Sequence, residues 1–452
     1  MHSFFKFLFA CLIFAIPIEH KYDKPMRFFS NRLIPEGLTL PKWFETKLYF
    51  YPSDLIAPVL ILIALFALKI PFRRLFLEKN APFLWGICFF GALSVAASPL
   101  WNYPLLYLRL WQWLTGAFLF VLAANLRDRD KTIRILLLSL IAMASLQSLL
   151  AIAQYFHQGS FGLRILGEPN FSRAMSGASA FHVPDGCRWI LDRWAGISYD
   201  TNVVVRVMGT AAHPNVLGGY LALTSLASLD FFTASKKKWL WSGLIFLQLF
   251  ALNLTFSRAA IFAFAIGAAI WFAIKRKTSL PAAILLFSSA ALIGFLFQEQ
   301  LFHRGGVVNY NALVSSSDGF RIDQQNLALQ MIQKHPFFGV GFQQFSIQAH
   351  EFLNNDPKTH VNGAHNIYLM MAAEMGTLAL LCFLAFILLS FRRLEPSPFL
   401  PSLLAMFIGL LFIGCCDFYP TLFQMGRLLF FLTAGLIAAH GQLRNQLVIE
   451  VR

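Results

Sequence analysis

Apolar runs long enough to cross a bilayer follow one another along almost the whole chain, separated by short basic or polar stretches. A hydrocarbon layer about 30 Å thick takes roughly 20 apolar residues as a helix, and the helix keeps its backbone amides paired where no water is available. Twelve such runs fall at about 3–18, 53–70, 81–99, 104–126, 132–157, 209–230, 239–254, 258–274, 280–297, 366–390, 398–418 and 424–440. They predict an all-α polytopic membrane protein of about twelve spans, with residues 1–452 forming a single integral membrane domain.

At 57% hydrophobic residues, the 452-residue chain exceeds what a soluble core of this size uses. Its 49 phenylalanines suit a lipid-facing surface. Several of the ten tryptophans (Trp101, Trp239, Trp241, Trp271) stand at run ends, where indole favours the interface, and they read as anchors. A net charge of +15 would suit a nucleic-acid partner, but the cations cluster between runs: Arg73-Arg74, Arg127 to Arg134, Lys236 to Lys238, Lys275 to Lys277 and Arg392-Arg393. That is the positive-inside pattern, so the clusters fix cytoplasmic loops, membrane lipids are the surroundings, and no nucleic acid is expected. With the clusters inside, the spans alternate and both termini are cytoplasmic. The first run is short and is followed by a basic segment, Lys21 to Lys47, on the outer side. A cleaved signal peptide is its competing reading; no small-x-small site lies near Ile16 to Glu19, and the remaining topology is the same in either case.

Cys11, Cys88, Cys382, Cys415 and Cys416 fall inside apolar runs, which leaves Cys187 alone in an outer loop. That distribution opposes a disulfide framework or a thiolate metal site, and neither a nucleotide-binding glycine loop nor an EF-hand pattern occurs. Neither a metal nor another cofactor is expected. Two outer loops, at 158–208 and 298–365, are far longer than the other connections, and long loops in compact proteins usually serve function. Within the second, FRIDQQNLALQMIQ at 320–333 carries Phe320, Leu327 and Met331 at helical spacing and predicts a helix ending before His335-Pro336. The glycines of FFGVGFQQF then predict a tight turn.

The candidates for chemistry lie on that same outer face. The second loop ends in AHNIYLMMAAEMG, which sets His365 at the start of a membrane helix with Asn366 beside it. An imidazole there can serve as a general base, although a lone interfacial histidine is also a common structural feature. Glu374, nine residues on, falls on the opposite helix face and orients either the helix or an arginine. Arg258 follows LNLTFS at the start of a span, where a guanidinium either snorkels to headgroups or lines a polar cavity. Arg206 precedes VMGTAAHPNVLGGY, in which His213 and Asn215 read best as helix-start residues. Arg321 has Asp318 and Asp323 as neighbours, so a solvated local ion pair is the plain alternative to a binding role. Several arginines around a histidine suit an anionic lipid-linked substrate, the cations holding phosphate while the imidazole handles a proton.

RVMGTAAHPNVLGGY, LTFSRAA, RIDQQNLALQMIQKHPFFGVGFQQF and His365-x10-Gly376 resemble, in order and spacing, the O-antigen ligase and polymerase superfamily of membrane glycosyltransferases. The likeness covers an O-antigen ligase-like core at about 206–390. It implies a GT-C-like bundle in the bacterial inner membrane with a periplasmic active face. The implied reaction is metal-independent, inverting transfer of a glycan from undecaprenyl diphosphate to lipid A–core. It further implies that His365 is the general base, that Arg206 and Arg258 bind the diphosphate, and that Arg321 contacts that group or the sugar. An Arg-x3-Leu pattern described for some ligases is absent at all three arginines. A polymerase extending a second lipid-linked glycan is the nearest alternative. A lipid-linked oligosaccharide flippase is the alternative of another class, although no internal repeat is visible and the charges gather at one face.

Overall fold

In the computed structural model the described residues are 2–18, 24–25, 47–48, 51–67, 71–73, 80–101, 104–126, 129–172, 180–182, 203–276, 279–298, 312–353, 361, 363–392 and 394–441. Cys187, Arg74, Arg127, Lys277, Arg393 and most of the segment from Lys21 to Lys47 lie outside them. The described chain is almost entirely helical, as the apolar runs predict. Its helices are α1 (His2–Phe14), α2 (Pro52–Leu62), α3 (Ala81–Ala97), α4 (Pro104–Ala124), α5 (Arg129–His157), α6 (Pro214–Ala234), α7 (Lys238–Leu254) and α8 (Arg258–Ile274). They continue as α9 (Leu280–Leu296), α10 (Ala312–Lys334), α11 (Phe345–Phe352), α12 (Ile367–Met375), α13 (Thr377–Ser390), α14 (Leu400–Cys416), α15 (Tyr419–Leu422) and α16 (Gln424–Ala438). The strands are two short antiparallel pairs, β1 (Lys24–Pro25) with β2 (Lys47–Leu48) and β3 (Ala180–His182) with β4 (Val203–Val205).

Three helical stretches, Leu105–Ala124, Arg129–His157 and Pro214–Ala234, are long and apolar enough to cross a membrane. The other apolar helices of the described chain have 10–17 residues. A 17-residue helix is only about 25 Å long, short of a 30 Å core. Two runs also depart from the expected continuous spans. The run at 53–70 passes from α2, with Pro58 in its interior, into a π-helical turn at Ile63–Ala67. The run at 366–390 is two helices, broken at Gly376.

That break has a local cause. Gly376 takes φ +87°, and a Cβ on it would lie 1.9 Å from the Phe337 carbonyl oxygen, so the loop after α10 occupies the space any other residue would need. The loop also takes over the carbonyls that the break exposes. Val340 N–H donates to Ala373 O at 2.8 Å, Gly341 N–H to Glu374 O at 3.1 Å, and Thr377 N–H to Pro336 O at 2.8 Å. Irregular backbone persists inside a helical membrane bundle only when its polar groups are satisfied in this way. The turn expected at FFGVGF is present, with Gly339 and Gly341 at positive φ, and α10 extends eight residues further toward the N-terminus than the helix expected at 320–333.

Close helix contacts set which ends meet. Gly267 of α8 lies against the Ala405 carbonyl of α14, and Gly409 of α14 against the Ala263 carbonyl of α8; a Cβ on them would stand 2.9 and 3.2 Å from those oxygens. Small residues let the backbones approach, which favours packing where burial in water gives no driving force. The paired positions run antiparallel, bringing Arg258 at the start of α8 toward Asp417 just past the end of α14. At the other end Asp230 of α6 accepts from Trp271 Nε1 at 2.9 Å and from Ser402 N–H at 3.1 Å, with Lys275 Nζ at 3.6 Å. That buried carboxylate joins α6, α8 and α14 at the basic side of the bundle.

Candidate active site

Four helix junctions converge at the end of the bundle opposite Lys275. They are the start of α6, the α7–α8 turn, the start of α12 and the α14–α15 turn. Gly218 in the first turns of α6 packs on the α7–α8 turn: a Cβ there would meet Thr255 Oγ1 at 2.8 Å and Ser257 Cβ at 3.0 Å. Gly414 of α14 lies under Ile367 of α12, where an added Cβ would stand 2.5 Å from Cδ1.

Arg206 reaches this convergence from the extended segment ahead of α6. It is only 3% exposed, and its Nε donates to the Thr255 carbonyl at 2.8 Å. One terminal nitrogen, NH2, donates to Asn215 Oδ1 at 2.7 Å. The polar residues ahead of Arg258 therefore form the turn that receives Arg206. Phe256 sits there at φ +48° and its N–H donates to Asn253 O at 2.8 Å. Arg258 follows as the first residue of α8, half-buried, so both arginines belong to one junction.

Asn215 bridges onward: its Nδ2 donates to Asp417 Oδ2 at 2.9 Å. The other oxygen of Asp417 faces His365 Nδ1 at 3.6 Å, within ion-pair distance but too far for a hydrogen bond. His365 adopts φ +47°, in the left-handed region that residues other than glycine seldom occupy and that recurs at functional sites. Asn366 secures the conformation as the N-cap of α12, its Oδ1 accepting from Tyr368 N–H at 2.9 Å and Leu369 N–H at 3.0 Å. The Asn366 Nδ2 reaches the Cys415 carbonyl at 3.3 Å, tying α12 to α14. Phe418 packs on the imidazole with ring centroids 4.7 Å apart.

The electrostatics follow from this arrangement. Burial would push the Asp417 carboxyl up, but the nearby His365, the hydrogen bond from Asn215 and the charge of His213 outweigh it and hold the group below its usual 3.8. His213 caps α6 by accepting Asn215 N–H on Nδ1 at 3.1 Å. Burial, then the positive charge of Arg206, lowers its pKa to about 4, so it is neutral near pH 7 and keeps that lone pair. Arg321, half-buried on α10, adds its positive field at both His213 and Cys416, which sets it beside the same junction.

Of the residues singled out in the sequence, His365, Arg206, Arg258 and Arg321 come to one end of the bundle. Asn366 and Glu374 have structural tasks. The Glu374 Oε1 accepts from Phe345 N–H at 3.2 Å and its carbonyl from Ser94 Oγ at 2.5 Å, so it holds the loop in the α12–α13 break, and among the described residues it forms no ion pair with an arginine. That removes the arginine-orienting alternative for Glu374 and keeps the helix-orienting one. Sequence reasoning passed over Asp417 and treated Asn215 as a helix-start residue alone. The available signal for Asp417 was a carboxylate at the outer end of an apolar run. Among the described residues no group of three His, Cys, Asp or Glu side chains is arranged to hold a metal ion.

No curated protein matches the chain. Residues 243–384 match the family model described as O-antigen ligase. The match runs from α7 into α13 and contains Arg258, Arg321, His365 and Glu374, while Arg206, Asn215 and Asp417 lie outside it. The apolar helices are those of a membrane protein, and over residues 243–384 the chain is similar to the O-antigen ligase family.

Proposed function

We propose that the protein is a glycosyltransferase that moves a glycan from undecaprenyl diphosphate to lipid A–core at the periplasmic face of a bacterial inner membrane. The observation that carries this reading is the chain of contacts Arg206–Asn215–Asp417–His365, which couples a cation able to hold phosphate to an oriented imidazole. With Nδ1 turned to the Asp417 carboxylate, Nε2 is the nitrogen left to take a proton, the arrangement by which a carboxylate fixes the tautomer of a catalytic base. The acceptor hydroxyl attacks the anomeric carbon and gives its proton to His365 Nε2. The bond from that carbon to the diphosphate oxygen breaks on the opposite face, which inverts the centre. Charge builds on the departing diphosphate, where Arg206 and Arg258 stabilise it in a water-poor site, and Arg321 contacts that group or the sugar. General-base assistance of this kind is worth about 10²–10⁴-fold in rate.

The test is reconstitution of purified protein with undecaprenyl-diphosphate-linked glycan, offering lipid A–core or a second lipid-linked glycan separately. Transfer to lipid A–core is the expected result. Growth of the lipid-linked chain instead would make the protein a polymerase using the same donor site. Movement of labelled donor across the bilayer without either product would overturn the transferase reading.

A further inference from the structure

Along the segment that delivers Arg206, four backbone N–H groups, those of Val205, Met208, Gly209 and Thr210, are bonded by glutamine side chains. Gln147 and Gln154 stand at i and i+7 on one face of α5, Gln158 follows directly after its last residue at φ +58°, and all three are buried. Gln158 Oε1 accepts from Val205 N–H at 3.2 Å. Gln154 Oε1 accepts from Gly209 N–H at 2.8 Å and Met208 N–H at 3.3 Å, while its Nε2 donates to Gly209 O and to Glu168 Oε1, at 2.9 and 2.8 Å. Gln147 closes the row, Oε1 accepting Thr210 N–H at 3.0 Å and Nε2 donating to Thr210 Oγ1 at 2.9 Å. From the far side Val207 N–H donates to Leu254 O at 3.3 Å, one residue before the carbonyl that holds Arg206. Gly209, at φ +58°, is required here because a Cβ would lie 2.3 Å from Gln147 Oε1.

A carboxamide offers a donor and an acceptor side by side, as a backbone peptide does, so a row of glutamines substitutes for a neighbouring strand. Helices set the rest of the junction, whereas residues 205–210 precede the first turn of α6 and take most of their backbone hydrogen bonds from this row, with Val207 held by Leu254 O from the other side. We infer that Gln154, with Gln147, is a positioning residue for Arg206: it acts on the diphosphate through the backbone of 205–210 and never touches substrate. This rests on the reading of Arg206 as a diphosphate ligand. Removing Gln154 would let the guanidinium wander from its place between Thr255 and Asn215 and weaken anion binding while leaving His365 and Asp417 set by α12 and α14.

The experiment compares wild type, Gln154→Leu, Arg206→Ala and the double variant, purified in full length and reconstituted, with thermal melting as the check on folding. Two readouts are taken: donor KM and kcat for glycan transfer, and affinity for inorganic pyrophosphate. Expected for Gln154→Leu are a donor KM and a pyrophosphate Kd each raised about tenfold, with kcat within about twofold. In the Arg206→Ala background the same substitution should add less than about twofold, because coupled sites are not additive. If Gln154→Leu does not fold, Gln147→Leu, which removes the bonds to Thr210 at the other end of the row, is carried through the same cycle with the same expectations. Equal losses in both backgrounds, or a lower kcat at unchanged KM and Kd, overturn the inference. Wild type that binds pyrophosphate in a Gln154-dependent way yet transfers nothing would sink the transferase reading and sustain the positioning role. Wild type that binds no pyrophosphate removes both.

Discussion

Asn215 stands between Arg206 and Asp417, accepting from the guanidinium at 2.7 Å on Oδ1 and donating to the carboxylate at 2.9 Å from Nδ2. Each end of the amide meets the charge it suits, so its orientation is dictated by its neighbours. Asn215→Asp would set a second carboxylate against Asp417, and Asn215→Ala would break both links. Either should lower transfer at least about tenfold, the Asp variant more, as a steady-state assay of the folded proteins would show.

His365→Ala should reduce transfer by about 10²–10⁴-fold with normal membrane insertion, since the imidazole contributes little to packing beyond Phe418. Asp417→Asn keeps the volume but loses the charge facing Nδ1, and should also lower kcat by about 10²-fold or more. Normal turnover by His365→Ala would remove the general-base role.

Lysine in place of Arg258 keeps the charge but loses the planar fork that grips phosphate oxygens in pairs. Arg258→Lys should therefore raise the donor KM or lower kcat about tenfold or more. Wild-type turnover would instead assign Arg258 to membrane anchoring. Arg206→Lys should fare no better, because one ammonium has to replace two directional bonds, to the Thr255 carbonyl and to Asn215.

His213 gives stability a definite pH dependence. Its pKa falls from 6.5 to about 4 on folding, so between those values the unfolded chain binds the proton that the folded chain excludes. Stability from this group is complete above pH 6.5, declines as pH falls toward 4, and is lost below it. Protonation of Nδ1 also removes the cap on α6. His213→Asn, which retains a capping acceptor, should flatten the fall in melting temperature across that window. Asp417, by contrast with most buried carboxyls, is held below its usual 3.8, so its contribution is present above that value and is lost only as pH falls below it.

Gly376→Ala should be severely destabilising, by more than about 3 kcal/mol, because both its φ of +87° and the Phe337 carbonyl exclude a side chain. Loss of folded protein in detergent is the expected observation. A stable, active Gly376→Ala would mean that the α12–α13 break is not obligatory.

The apolar runs alone determined that the chain is helical and where most helices lie. Hydropathy, prolines at helix starts and glycine turns are local signals, and the physics that reads them is local too. The candidate histidine and arginines were legible for the same reason: each is a polar residue at the edge of an apolar run, where burial makes polarity costly. Only tertiary structure decided which of them meet. Asp417 looks in sequence like any residue ending a helix, and becomes the partner of His365 because small-residue packing of α8 on α14 fixes where that end arrives. Asn215 reads as a cap until the bundle sets Arg206 and Asp417 on either side of its amide. The break at Gly376 was hidden inside one apolar run, since hydropathy cannot register a loop from elsewhere that takes the helix's own carbonyls. Pairings between distant segments depend on shape and on which polar groups remain to be satisfied, and those exist only once the helices have packed.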